Sequence, residues 1–131
     1  MERNGRGGDC LIRGIRGAIT AFDNDVNEII DATGELLQQM VEKNKIEPEN
    51  VAQVIMTVTE DLTATFPAKA LRDMSGWTFV PVMCMKEIPV PGSLEKCIRI
   101  MMTVETGVDQ KDIQHIYLRD AIVLRPDLST K

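Results

Sequence analysis

Residues 51–59, VAQVIMTVT, form a continuous apolar run of strand length with no proline or glycine inside it. Such a run reads as a central strand, because a half-exposed strand would alternate apolar with polar side chains more strictly. Upstream, residues 11–20, LIRGIRGAIT, alternate as a strand does, with two arginines and two glycines among the branched side chains. A helix connects the two. Asp23, Asn24 and Asp25 offer N-caps, and Val26, Ile29, Ile30, Leu36, Leu37, Met40 and Val41 recur at helical spacing up to about Glu42. The turn EPEN, 47–50, then leads into the apolar run.

Downstream, Pro67 suits the first position of a short helix, PAKALRDM (67–74), which Ser75 and Gly76 end. FVPVMCM (79–85) reads as a strand whose Pro81 implies an edge or a bulge. PVPG (89–92) is a turn and CIRIMMTVET (97–106) the next strand. VDQKDI (108–113) is a polar turn or short helix, and HIYLRDAIVL (115–124) a last strand. The order β-α-β-α-β-β-β predicts an α/β (α+β) domain with a five-stranded mixed sheet and its helices on one face. The other face is left without cover from its own chain, which predicts an oligomer.

At 131 residues and 44% hydrophobic, the chain is long enough for one compact core, so 11–131 reads as a single domain. Residues 1–10, MERNGRGGDC, are polar and glycine-rich and read as a disordered extension. A net charge of −5 supplies no positive field for a nucleic-acid backbone or an anionic membrane surface. Cys10, Cys84 and Cys97 are far apart and His115 is the only histidine, which supports neither a disulfide scaffold nor a metal site. With no apolar leader and no window of membrane-span length, a reducing cytoplasm fits best. No nucleophile elbow, phosphate loop, dinucleotide fingerprint or metal-ligand pattern occurs, and no cofactor is predicted.

The charges inside the apolar elements carry more information. Arg99 stands between Ile98 and Ile100, so it either points to water or is held by a partner, since an unpaired buried cation is prohibitively costly. Arg13 and Arg16, three apart in a strand, point to opposite faces. Gly14 and Gly17 allow close approach by a ligand or another chain, and a bulge explains them equally well. Lys69 and Arg72 share one face of the second helix, either as a solvated basic face or as a seat for an anion. Arg125 adds a further cation after the last strand. Cys84 has no histidine close in sequence and reads as a buried structural thiol. Glu87 can be a surface carboxylate, Tyr117 half-buried packing and His115 a solvated strand-start residue. The residues alone thus describe an acidic oligomeric α/β domain suited to a small carboxylate ligand, and they name no reaction.

Taken together, RGIRGA (13–18), FPAKALRD (66–73), SGW (75–77), VPVMCMKE (80–87), KCIRIMMTVET (96–106), HIYL (115–118) and VLRPDL (123–128) resemble the small monofunctional chorismate mutases of the trimeric α/β class. The resemblance runs from about residue 11 to residue 128. It implies a homotrimer forming a pseudo α/β barrel with active sites at subunit interfaces. The reaction implied is the intramolecular Claisen rearrangement of chorismate to prephenate, in phenylalanine and tyrosine biosynthesis, with no cofactor or metal.

Carried over, the resemblance makes Arg99 the donor to the ether oxygen. Glu87 faces the ring and accepts from its hydroxyl, with Cys84 nearby, and Arg16 clamps the side-chain carboxylate, helped by Tyr117. Phe66 and Leu124 become apolar walls, and Lys69, Arg72 and Arg125 lie at the mouth. Met83 stands in a pocket wall where the family pattern has a smaller, often polar residue. The tail RPDLSTK (125–131) is expected to close over substrate. A trimeric enamine/imine deaminase-like protein, or a small-carboxylate-binding protein of similar fold, is the alternative.

Overall fold

The computed structural model describes residues 10–125. The expectations for residues 1–9 of the extension and for the closing tail, 126–131, lie outside these described residues; Cys10, also assigned to the extension, is buried.

Five strands, β1 (Leu11–Thr20), β2 (Val51–Val58), β3 (Val82–Lys86), β4 (Cys97–Thr106) and β5 (Ile116–Tyr117), form one mixed sheet in the order β3-β2-β4-β1-β5. β4 lies antiparallel to both β1 and β2, while the edge strands β3 and β5 run parallel to β2 and β1. The apolar run at β2 is therefore interior, flanked on both sides. Pro81 sits just before edge strand β3, where its missing N–H costs no ladder bond and its carbonyl accepts from Val54 N–H at 2.9 Å.

Two helices cover one face. Helix α1 (Val26–Asn44) starts at Asp25, whose carboxylate accepts from Glu28 N–H, and ends at Lys45, which adopts φ +52. Its buried stripe of Ile29, Ala32, Leu36, Leu37 and Met40 packs on Ile15, Ile19, Val54, Met56, Ile98, Ile100 and Met102 of the sheet. Burying each large apolar side chain contributes about 1.5–3 kcal/mol relative to leaving it in water. Gly17 is where α1 crosses most closely. A Cβ there would lie 2.5 Å from Met40 Sδ and 2.9 Å from Leu36 Cδ1, so the close approach is to the chain's own helix. Helix α2 (Ala68–Arg72) is shorter than the predicted 67–74 and adds Ala68, Ala70 and Leu71 to the same core.

The expected last strand differs most. Only Ile116 and Tyr117 pair with β1, and the chain then turns into a 3-10 helix, Arg119–Leu124. This helix packs Ala121 onto Ala18 and Cys97, with Tyr117 and Leu124 beside them, covering one end of the face opposite α1. The rest of that face remains open, with Met83, Met85 and Met101 exposed. Among the described residues, no helix is long and apolar enough to cross a membrane.

Candidate active site

Strand register alone assembles the open face. Thr57 pairs with Arg99, Arg99 with Ala18, and Ala18 with Tyr117, so these four residues form one row across four strands. The next row contains Ile55, Met101 and Arg16. Because side chains alternate between faces, both rows point away from α1. Arg13 has the other parity and sits on the helix side, where its Nε donates to Val108 O at 3.0 Å. The two arginines of β1 are thereby separated, and Arg16 is the one facing the open side.

Glu87 follows β3 directly and is held there by its N–H, which donates to Val58 O at 2.9 Å. Its carboxylate meets Arg99 as a two-point pair: Nε donates to Oε2 at 2.7 Å and the NH2 nitrogen to Oε1 at 2.8 Å. The Thr57 hydroxyl also donates to Oε2. The Arg99 hydrogen bond, then Thr57 and the Arg99 charge, hold the Glu87 carboxyl below the usual carboxylate range against the opposing effect of burial. Arg99 is pushed up in turn, chiefly by its hydrogen bond to Glu87. The arginine side chain is 50% exposed and the glutamate 17%. Of the five N–H groups on a guanidinium, Glu87 takes two, so three stay available to a ligand.

These groups line a cavity of about 320 Å³, which also includes Arg16, Ile55, Met101, Tyr117, Leu124 and Arg125. That is the size of a small-molecule site, apolar along Ile55, Met101 and Leu124 and polar at a few fixed points. The backbone N–H of Arg16 donates to His115 Nδ1 at 3.0 Å, anchoring the strand there. Its guanidinium has no hydrogen-bond or ion-pair partner among the described residues, which leaves its fork available for a carboxylate. A larger cavity, about 490 Å³, lies at the other end of the sheet beside Lys43, Glu105 and Asp112. It contains none of the residues singled out as site candidates, so chemistry rather than size selects the smaller one.

The structure thus brings Arg99, Glu87, Arg16, Tyr117, Leu124 and Arg125 together in one chain. Phe66, Lys69 and Arg72 do not reach that cavity; all three are exposed at α2, with Phe66 at 70%. Met83 is in register with Ile55 but one strand further out, at 64% exposure. Cys84 has the opposite parity and packs against the helix-side core opposite Met56. Thr57, Ile55 and Met101 are site residues that sequence reading missed. The signal available for Thr57 was a hydroxyl inside an apolar strand two positions from Ile55, which marks the face but not its partner.

The molecule is thus a small mixed-sheet protein with an arginine–glutamate pair and a second arginine around an open-faced cavity. The sequence pattern of chorismate mutase type I matches residues 12–128. The chain is 53% identical over 119 residues to chorismate mutase AroH of Bacillus subtilis (strain 168), covering 91% of this chain and 94% of that protein. It is 48% identical over 121 residues to chorismate mutase AroH of Thermus thermophilus, covering 92% and 98%. A solved structure of a chorismate mutase from Clostridium thermocellum superposes with a TM-score of 0.82 at 55% identity, covering 84% of this chain and 97% of that one. The chain belongs to the type I chorismate mutases.

Proposed function

We propose that this protein converts chorismate to prephenate, serving phenylalanine and tyrosine biosynthesis, in the cavity over β4. The observation that carries this reading is the Arg99–Glu87 pair, which sets a cation and an anion side by side on one cavity wall. The rearrangement is intramolecular. An ether C–O bond breaks as a C–C bond forms, with negative charge growing on the ether oxygen and positive character on the ring. No group is transferred to the protein, so catalysis consists of holding the folded conformer and matching that charge.

Arg99 is placed to do the matching, since three of its N–H groups remain free of Glu87. Glu87, kept ionised by its lowered pKa, faces the ring side and accepts from the ring hydroxyl. Arg16 clamps the side-chain carboxylate with the Tyr117 hydroxyl beside it, and Arg125 lies at the mouth. Ile55, Met101 and Leu124 give the cavity its apolar lining beside these charges. The test is optical. Chorismate has a conjugated ring diene that prephenate lacks, so purified protein should abolish its ultraviolet absorbance at a saturable rate. Unchanged absorbance would refute the reading.

The working unit we infer is a homotrimer. The open sheet face, with exposed Met83 and Met85, calls for cover by other copies, as does Phe66. A neighbouring copy that supplies Phe66, Lys69, Arg72 and Met83 would complete the walls and mouth that one chain leaves open. Light scattering that finds a fully active monomer would contradict this. No disulfide joins Cys10, Cys84 or Cys97, which suits the reducing cytoplasm we propose.

A further inference from the structure

Arg119 organises a cluster outside the cavity. It adopts φ +55, rare for a residue that bears a side chain, at the point where β5 stops and the 3-10 helix begins. One terminal nitrogen donates to Thr20 O at 2.9 Å and to Glu28 Oε2 at 2.9 Å, and the other donates to Glu35 Oε1 at 3.0 Å. The guanidinium carbon lies 4.3 Å from the centroid of the Phe22 ring. Glu28 is itself fixed, because Oε2 also accepts from Phe22 N–H at 2.7 Å. The flanking backbone repeats the connection: Leu118 N–H donates to Ala18 O at 2.9 Å and Asp120 N–H to Thr20 Oγ1 at 3.2 Å.

What this cluster holds is a cavity wall. Tyr117 lies two residues before Arg119 and Leu124 five after it, and both line the site. The strand on which Tyr117 sits is paired at only two positions, too few to fix a side chain alone. We propose that Arg119 is a positioning residue for the chorismate site: by fastening the segment Tyr117–Leu124 to Glu28 and Glu35 of α1, it sets where the Tyr117 hydroxyl and the Leu124 wall stand. It touches no substrate. The inference rests on the proposed function for the role of that wall, but not for the anchoring itself.

The chain contains a single tyrosine, so incorporating 3-fluorotyrosine gives one fluorine resonance, from position 117. In Arg119→Ala we expect that resonance to shift or broaden and KM for chorismate to rise about fivefold, with kcat within about twofold of wild type. Arg119→Lys, which keeps the charge but not the planar fork, should recover part of the KM. An unmoved resonance with an unchanged KM overturns the proposal, even if the melting temperature falls, because the residue would then be structural only. If Arg119→Ala fails to fold, Glu35→Gln removes one exposed contact alone; a smaller shift and KM rise in the same direction support the proposal, and neither appearing overturns it. If wild-type protein leaves chorismate untouched, the functional reading fails, while the fluorine resonance still decides the anchoring.

Discussion

Glu87 and Arg99 lie on opposite sides of β2, one just past β3 and the other on β4, yet they close a two-point ion pair at 2.7 and 2.8 Å across the Thr57 hydroxyl that separates them. Thr57 is the cross-strand partner of Arg99, so the three groups form one fixed unit on the open face. Its glutamate has a depressed pKa, which sets the direction of its pH dependence.

Because the folded-state pKa of Glu87 lies below the ordinary value of 4.5, the pair stabilises the fold fully above that value and loses its effect as pH falls through the lower one. The guanidinium is half exposed, so solvent screening keeps the contribution to about 1 kcal/mol or less. Glu87→Gln should therefore unfold at lower denaturant concentration than wild type near neutral pH. The two curves should converge in acid, and a difference that persisted well below the folded pKa would contradict the assignment.

Gly17 and Gly34 should respond to alanine with opposite signs. At Gly17 the new methyl meets Met40 Sδ and Leu36 Cδ1 inside van der Waals distance, and overpacking of this kind costs about 1–3 kcal/mol. At Gly34, within α1, nothing lies within 4 Å of the added carbon, and replacing a helical glycine by alanine gains about 0.5–1 kcal/mol. Urea denaturation of the two variants checks both signs.

Cys97 should be chemically silent in the native protein. Burial beneath Ala18 and Ala121 pushes its thiol up to about 11, the nearby Arg99 charge opposing this only in part. Iodoacetamide at mildly alkaline pH should leave Cys97 unmodified until denaturant is added, as read by peptide mass spectrometry. Rapid native labelling at this position would show that the 3-10 helix does not cover it.

The legible part of the fold was what hydrophobic period encodes: the strand at 11–20, the helix after Asp25, the apolar run at β2 and the proline-marked edge at β3. The stretch HIYLRDAIVL misled because its alternation suits a strand, and what ends the strand is a positive φ at Arg119, held by Thr20, Glu28 and Glu35 from 84 to 99 residues away. No local pattern reports partners that distant. The same limit applied to the site. Arg99 stood out as a charge inside an apolar strand. Glu87 read as a surface carboxylate, and the parity of Arg13 and Arg16 left open which of them faces the open side, so only the family resemblance singled out Glu87 and Arg16. Thr57 did not stand out, because a threonine within VAQVIMTVT is unremarkable until the register sets it opposite Arg99.

If Arg99 stabilises charge that exists only in the transition state, as we propose, the kcat of Arg99→Lys reports it. Lysine keeps the positive charge but has no planar fork with which to hold Glu87 at two points and still donate to the ether oxygen. Removing one preorganised donor of this kind costs on the order of 100- to 1,000-fold in kcat, about 3–4 kcal/mol. A loss of at least that size is expected at saturating chorismate, with the oligomeric state unchanged from wild type by light scattering. Near-normal turnover with only a raised KM would contradict it, leaving Arg99 as a carboxylate-binding residue.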